Sequence, residues 1–169
     1  MGKLEGYSES EKKQTYTNIG LGALKYFILK VDPKKTILFD PKASVDFQGN
    51  TGHFIQYTYA RIQSILKSNN IDPDSRMPEK LDTKETLIIK QLILYPEIVE
   101  QSLQSFSPAI ISNYIYELVK RFNSFYQNVS IFGAASKSEM CFRVQLCSVV
   151  GETVKKAFEL LGIQVPERM

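Results

Sequence analysis

A tyrosine and an arginine stand four residues apart in the middle of an apolar-periodic stretch, as Tyr57 and Arg61. On a helix, residues with this spacing lie one turn above the other on the same face. An aromatic ring can stack on an unpaired nucleotide base, and a neighbouring guanidinium can bind a phosphate or a base edge. Taken alone, however, such a pair more often belongs to an ordinary solvated helix face, so other residues must decide.

The stretch from Gly52 to Lys67 is predicted to be the helix that positions this pair. Its apolar side chains recur at helical spacing and predict a face packed in the core, formed by Ile55, Tyr59, Ile62 and Leu66. The opposite face is predicted to point outward, and its side chains are His53, Tyr57, Arg61 and Ser64. The pair is therefore expected on the outward side of a central helix.

The rest of the chain also shows helical periodicity and few strand signals. Capping residues predict where the helices begin, at Ser8, Asp82, Ser107 and Ser136. Gly162 predicts a Schellman end to the last helix. Gly20 and Gly22 predict a place where another helix approaches closely. A polar linker, expected to be disordered, is predicted from Ser68 to Pro78. The sequence thus predicts an all-α bundle.

Length and composition suit one globular domain spanning residues 1–169. The chain has 43% hydrophobic and 23% charged residues and a net charge of +3, which permits a polyanionic partner through local contacts rather than a chain-wide basic field. Cys141 and Cys147 are six apart on a predicted helix and point in different directions, which favours buried free thiols over a metal pair or a disulfide. No apolar run is long enough for a membrane span, and no signal peptide is predicted.

Gln56-Tyr57 followed by Ala60-Arg61 resembles the QYxxAR motif of the C-terminal domain of arginyl-tRNA synthetases. Other blocks similar to this family follow in the same order along the chain: Gly22-Ala23-Leu24-Lys25-Tyr26-Phe27, Asn113-Tyr114-Ile115-Tyr116-Glu117-Leu118, Phe122-Asn123 with Phe125-Tyr126, and the ending Leu161 to Met169. Lys25 replaces the usual arginine of its block, and His53 stands where relatives often carry proline. The resemblance covers nearly the whole chain.

The resemblance implies a helical domain, of the anticodon-binding type of class I synthetases, that binds the anticodon stem-loop of an arginine tRNA. Carried over by motif, the residues implied to bind the anticodon are Tyr57, Arg61, Tyr126, Met169, Gln56 and Asn123. Tyr57 would stack on a base and Arg61 would reach a phosphate or base edge. Tyr126 would add a second surface, and the carboxylate of Met169 would accept from an exocyclic amine. Family members recognise a cytosine at the middle anticodon position, which suits such an acceptor.

Residues for catalysis are not found in the sequence. The single histidine cannot supply the HIGH-type ATP-binding motif, and neither a KMSKS-like loop nor a nucleophile paired with a base is present. The resemblance therefore implies that the catalytic domain lies before Met1 and that this chain alone is inactive. The parent would use ATP and magnesium, whereas no cofactor or metal is expected in this chain. The implied protein is cytoplasmic and monomeric, binds tRNA rather than DNA, and does not enter a membrane.

Two other functions remain open from the sequence. One is a free-standing helical module that binds RNA or a partner protein. The other is the end domain of a different, glycyl-type synthetase with a related fold. The QYxxAR motif and the PERM ending favour the arginine family over both.

Overall fold

The computed structural model describes residues 6–44, 46, 49–68 and 78–169. Over these residues the regular structure is entirely α-helical, which confirms the predicted all-α class. The helices are α1 (Glu9–Leu29), α2 (Pro41–Ser44), α3 (Gly52–Lys67), α4 (Thr83–Ile93), α5 (Tyr95–Ser105), α6 (Pro108–Asn128) and α7 (Lys137–Leu160). Most of the predicted polar linker, residues 69–77, lies outside the described residues.

The predicted capping residues explain where three of the helices begin. At α1 the backbone N–H of Ser8 donates to Glu11 Oε2 over 2.7 Å, while Ser8 Oγ accepts from the N–H of Glu11 over 3.3 Å. Asp82 and Glu85 form the same reciprocal arrangement at α4. Ser136 also caps α7 with its side chain. Each cap satisfies backbone donors that the first helical turn leaves unpaired.

Ser107 stands at the start of α6 as predicted, but its side chain does not cap the helix. Its Oγ instead donates to Asp32 Oδ2 over 3.3 Å, which ties the start of α6 to the segment after α1. Pro108 at the first helical position needs no hydrogen-bond partner for its nitrogen, so the helix begins without a side-chain cap.

The end of α7 turns the chain back towards the first helix. Gly162 has a φ of 66°, and the N–H of Ile163 donates to the carbonyl of Phe158 over 2.8 Å, which is the predicted Schellman arrangement. Ile163 then lies beside Gly22, where an added Cβ would be 3.1 Å from its Cγ2 atom. A Cβ at Gly22 would also lie 2.5 Å from Gln56 Nε2 of α3, so Gly22 permits the predicted close approach of another helix. Gly20 does not serve this purpose, since nothing lies within 4 Å of a Cβ there.

The helix α3 lies near the centre of the fold and packs on α1, α6 and α7. One cluster of buried side chains joins these helices, and its largest fully buried members include Tyr26, Ile55, Ile62, Phe122, Phe125 and Phe158. Other helices cover much of α3, and the residues of this helix that stay exposed in the described structure are Tyr57, Ser64 and Lys67.

Candidate nucleic-acid interface

The position of α3 confirms the predicted division of its surface except at His53. Thr51 caps the helix by accepting from the N–H of Phe54 over 3.3 Å, and the helix spans the predicted residues. On the inner face, Ile55 and Ile62 are fully buried and Tyr59 is 4% exposed, with Leu66 half-buried. On the outer face, Tyr57 is 49% exposed. The residues predicted to pack and the tyrosine predicted to point outward lie as the helical spacing indicates.

The guanidinium of Arg61 lies between two tyrosine rings, one from each of two helices. Its central carbon is 5.0 Å from the ring centroid of Tyr57, one turn earlier on α3, and 4.8 Å from that of Tyr126 on α6. Its Nη1 atom also donates to Asn123 Oδ1 over 2.6 Å. Cation–π contacts and a hydrogen bond thus hold the positive charge in one place. The structure brings four of the six predicted site residues together.

Asn123 links the two helices that form this cluster. While its Oδ1 accepts from Arg61, its Nδ2 donates to Thr58 Oγ1 over 2.9 Å. Thr58 is 1% exposed, and its hydroxyl donates to the carbonyl of Phe54. Both polar atoms of the Asn123 amide are therefore engaged within the protein. This geometry makes Asn123 a positioning residue that orients Arg61.

Tyr126 is held by the core on one side and by Arg61 on the other. Its ring lies 6.3 Å from that of Phe122, one turn earlier on α6, at an angle of 24°. Phe122 is fully buried, whereas Tyr126 is 40% exposed. Since the core fixes one side of the ring, Tyr126 offers a rigid wall rather than a free platform. The ring of Tyr57 contacts the guanidinium of Arg61 and is 49% exposed, so about half of this side chain remains accessible to another molecule.

Two residues of α3 do not lie where the sequence predicted. His53 was expected on the outward face but is 6% exposed, because the first turn of α3 packs directly on α1, where a Cβ at Gly52 would lie 3.0 Å from the Cα of Ala23. Burial also lowers the pKa of His53. The prediction of an outward His53 is wrong.

Gln56 is fully buried and is not part of the exposed surface on which the motif match placed it. Its Nε2 atom donates to the carbonyl of Gln164 over 2.9 Å and lies 3.4 Å from the carbonyl of Asn18. The amide therefore joins α3 to the C-terminal tail and to α1. The physical reason is that position 56 faces these two segments, whose carbonyls accept from the buried Nε2 atom, while Oε1 has no hydrogen-bond partner among the described residues.

Met169 is half-buried, and the two residues before it are anchored to the protein. Glu167 Oε2 accepts from Lys67 Nζ over 2.9 Å, and the guanidinium of Arg168 lies 5.2 Å from the ring centroid of Tyr7. The tail thus runs beside the last turn of α3. No hydrogen bond or ion pair joins Met169 to the tyrosine–arginine cluster within the described part of the chain, so its role stays a prediction.

Sequence reasoning missed Thr58 as a supporting residue of the site. Thr58 and Arg61 are three apart and are therefore helical neighbours, which is the signal that could have identified it. Its partner Asn123 is 65 residues away, however, and only the packing of α3 against α6 brings the two together.

The described residues also bear on the sequence predictions about metal sites, cysteines and membrane spans. They contain no cluster of three or more His, Cys, Asp or Glu residues able to hold a metal ion. Cys141 and Cys147 are buried and free, as predicted, and burial raises the pKa of the Cys147 thiol to about 12. None of the described helices combines the length and apolar character that a membrane span requires.

Comparison with known proteins gives several relatives over the full length of this chain. An arginine-tRNA ligase of Flavobacterium psychrophilum is 59% identical over 169 residues, which are 100% of this chain and 28% of that protein. An arginine-tRNA ligase of Porphyromonas gingivalis is 46% identical and is matched over 99% of this chain and 29% of its own length. The chain thus spans less than a third of the length of these relatives.

Solved structures show the same arrangement of helices. An arginyl-tRNA synthetase of Thermus thermophilus matches 99% of this chain and 29% of its own with a TM-score of 0.89, and at 24% identity it supports the fold alone. An arginyl-tRNA synthetase of Plasmodium falciparum matches 92% of this chain and 28% of its own with a TM-score of 0.81 and 26% identity. The family model of the DALR anticodon binding domain matches residues 55–169. The chain therefore belongs to the DALR anticodon binding domain family.

Proposed function

We propose that this chain is the anticodon-binding domain of an arginine-tRNA ligase and that it binds the anticodon stem-loop of an arginine tRNA. The observation that carries the proposal is the position of Arg61 between the rings of Tyr57 and Tyr126 on an exposed strip of the protein. Rings with a fixed cation between them can hold an unstacked base and its phosphate, which is how proteins bind single-stranded RNA.

Each side chain has a separate role in RNA binding, which follows from its position. Tyr57 is the stacking platform, because it is the more exposed of the two rings that contact Arg61. Arg61 uses one guanidinium donor on Asn123 and directs others to a phosphate or base edge. Tyr126 is the rigid wall, and the carboxylate of Met169 accepts from the exocyclic amine of cytosine. Gln56 and Asn123 act beneath the surface by holding the tail and Arg61 in place.

The proposal extends to the longer protein of which such a domain is a part. That protein attaches arginine to its tRNA using ATP and magnesium, which a catalytic domain other than residues 1–169 binds. It acts in the cytoplasm as a monomer. Supplied with arginine, ATP and tRNA, this chain by itself should form no aminoacyl-tRNA. Charging of tRNA above a protein-free control would contradict the proposal that a separate domain carries out catalysis.

A fluorescence-anisotropy titration of a labelled arginine anticodon stem-loop tests the binding. We expect a Kd in the micromolar range or weaker at physiological salt, because a chain of net charge +3 makes few phosphate contacts. A stem-loop with the middle cytosine replaced by uracil is the matched control, and it should bind about tenfold more weakly, since it lacks the exocyclic amine. Equal affinity for the two loops, or no binding of either, would overturn the proposal.

A further inference from the structure

A second aromatic–cation pair lies along the same seam between α3 and α6 as the first. Lys120 Nζ is 5.4 Å from the ring centroid of Tyr116, one turn earlier on α6, which repeats the relation of Arg61 to Tyr57 on α3. We propose that Tyr116 and Lys120 form a second RNA subsite, in which Lys120 binds a backbone phosphate and Tyr116 contacts the sugar or base of that nucleotide. This proposal rests on the proposed function, because it concerns a neighbouring nucleotide of the same loop.

Contacts between α3 and α6 place the two pairs along one seam between these helices. The ring centroids of Phe54 and Tyr116 are 6.0 Å apart, and seven residues later on each helix Arg61 Nη1 donates to Asn123 Oδ1. Because seven residues are close to two helical turns, Phe54 and Arg61 lie on one side of α3, and Tyr116 and Asn123 lie on the facing side of α6. The two helices therefore run alongside each other in the same direction. In this register Tyr116 lies level with Phe54, three residues before Tyr57, so the second pair is offset from the first by about 5 Å along the seam between the helices.

The exposure of the second pair suits a ligand from solvent. Lys120 is exposed, whereas Tyr116 is half-buried and braced by Phe54. Lys120 Nζ also donates to Glu117 Oε1 over 2.7 Å, and the two side chains of this ion pair are 54% and 43% exposed. Such an exposed pair is weak, and an ammonium group has three donors, so Lys120 can hold a phosphate while keeping or exchanging this carboxylate. Lysine binds phosphate as a compact point charge, which requires no planar alignment.

Salt dependence distinguishes a phosphate contact from a merely nearby charge. We expect Lys120→Ala to weaken binding of the anticodon stem-loop about three- to tenfold at low salt and to reduce the slope of log K against log salt by about 0.7. Tyr116→Leu keeps an apolar side chain against Phe54 but removes the ring. It should weaken binding about threefold or more with an unchanged salt slope, since stacking is not a counterion effect.

Lys90→Ala is the matched control. Lys90 is an exposed lysine of α4, which packs on the opposite side of α6, where Tyr114 Oη donates to the carbonyl of Gln91. The Lys90→Ala variant should leave unchanged both the affinity for the stem-loop and the slope of log K against log salt. If wild type binds and Tyr57→Ala weakens binding while Lys120→Ala behaves like Lys90→Ala, the second subsite is wrong and the proposed function stands. If wild type does not bind the stem-loop, both proposals are overturned.

Discussion

Tyr59 and Tyr57 are the same residue type, two positions apart on α3, and belong to opposite faces of one helix. Tyr59 is 4% exposed and lies in the core cluster, whereas Tyr57 is 49% exposed and contacts the guanidinium of Arg61. Two residues rotate a helix by about 200°, so the two rings point nearly opposite ways. The comparison shows that residue type alone does not identify a recognition residue, since position on the helix decides whether a tyrosine packs or binds.

The boundary between the two faces is sharp. Gln56 directly precedes Tyr57, yet it is fully buried and its amide is hydrogen-bonded to the C-terminal tail. Neighbours within one motif therefore have different surroundings, because Gln56 packs inside the protein whereas Tyr57 faces solvent. The following predictions test this division, beginning with the largest expected effect.

Phe122→Ala should destabilise the protein most. Phe122 is fully buried and supports the ring of Tyr126, so its removal should lower the free energy of unfolding by about 3–5 kcal/mol. Denaturant unfolding measures this change. Leu160→Ala is the control, because Leu160 is 59% exposed and its removal should change stability by less than about 0.5 kcal/mol. Similar losses of unfolding free energy for the two variants would show that the buried face of α6 is misassigned.

Gln56→Ala should also act on stability rather than on direct contact with RNA. The change removes the part-buried hydrogen bond to the carbonyl of Gln164 and should cost about 0.5–1.5 kcal/mol. Thermal unfolding measures the loss, and hydrogen exchange should increase in the tail. If Gln56→Ala keeps its melting temperature and only weakens stem-loop binding, the residue belongs to the recognition surface and the boundary drawn here is wrong.

Asn123→Ala should affect binding more than folding. It removes the acceptor that orients Arg61, and a loss of about 1 kcal/mol corresponds to roughly fivefold weaker binding of the stem-loop. Asn128→Ala, at the exposed end of the same helix, is the matched control and should bind like wild type. Equal binding by the two variants would mean that Arg61 needs no orientation from α6.

The attachment of the tail should show the smallest effect and should depend on pH. The hydrogen bond from Lys67 lowers the pKa of Glu167 below its ordinary value. The stabilisation is therefore present above that ordinary value and is lost as the pH falls through the lowered one. An exposed pair contributes about 0.2–1 kcal/mol, so Glu167→Gln should melt slightly below wild type at about pH 7 and together with it at about pH 3. A difference that persists in acid would contradict this account of the tail.

Local signals in the sequence were sufficient to predict the long helices and one face of the site, whereas the four-residue helix α2 was not predicted. The periodicity of α3 gave its boundaries and the outward direction of Tyr57, and capping residues marked the start of α1 and α4. These features depend on residues within about one helical turn of each other, where the rules of helix geometry apply directly.

Features that depend on distant residues could not be predicted in the same way. The buried state of Gln56 depends on Gln164, which is 108 residues later in the chain, and the orientation of Arg61 depends on Asn123, 62 residues away. His53 was placed outward because its helical position alone does not show that α1 covers the first turn of α3. In each case tertiary packing decides the surroundings of a side chain.

The most direct measurement is a paired test of the two tyrosines, with stem-loop binding and thermal unfolding recorded for Tyr57→Ala and Tyr59→Ala. Tyr57→Ala should bind about ten- to a hundredfold more weakly and unfold like wild type, because loss of a stacking ring costs about 1–3 kcal/mol in binding. Tyr59→Ala should instead lose about 3–5 kcal/mol of stability. If Tyr57→Ala unfolds the protein while Tyr59→Ala mainly weakens binding, the two faces of α3 are reversed and the proposed site is wrong.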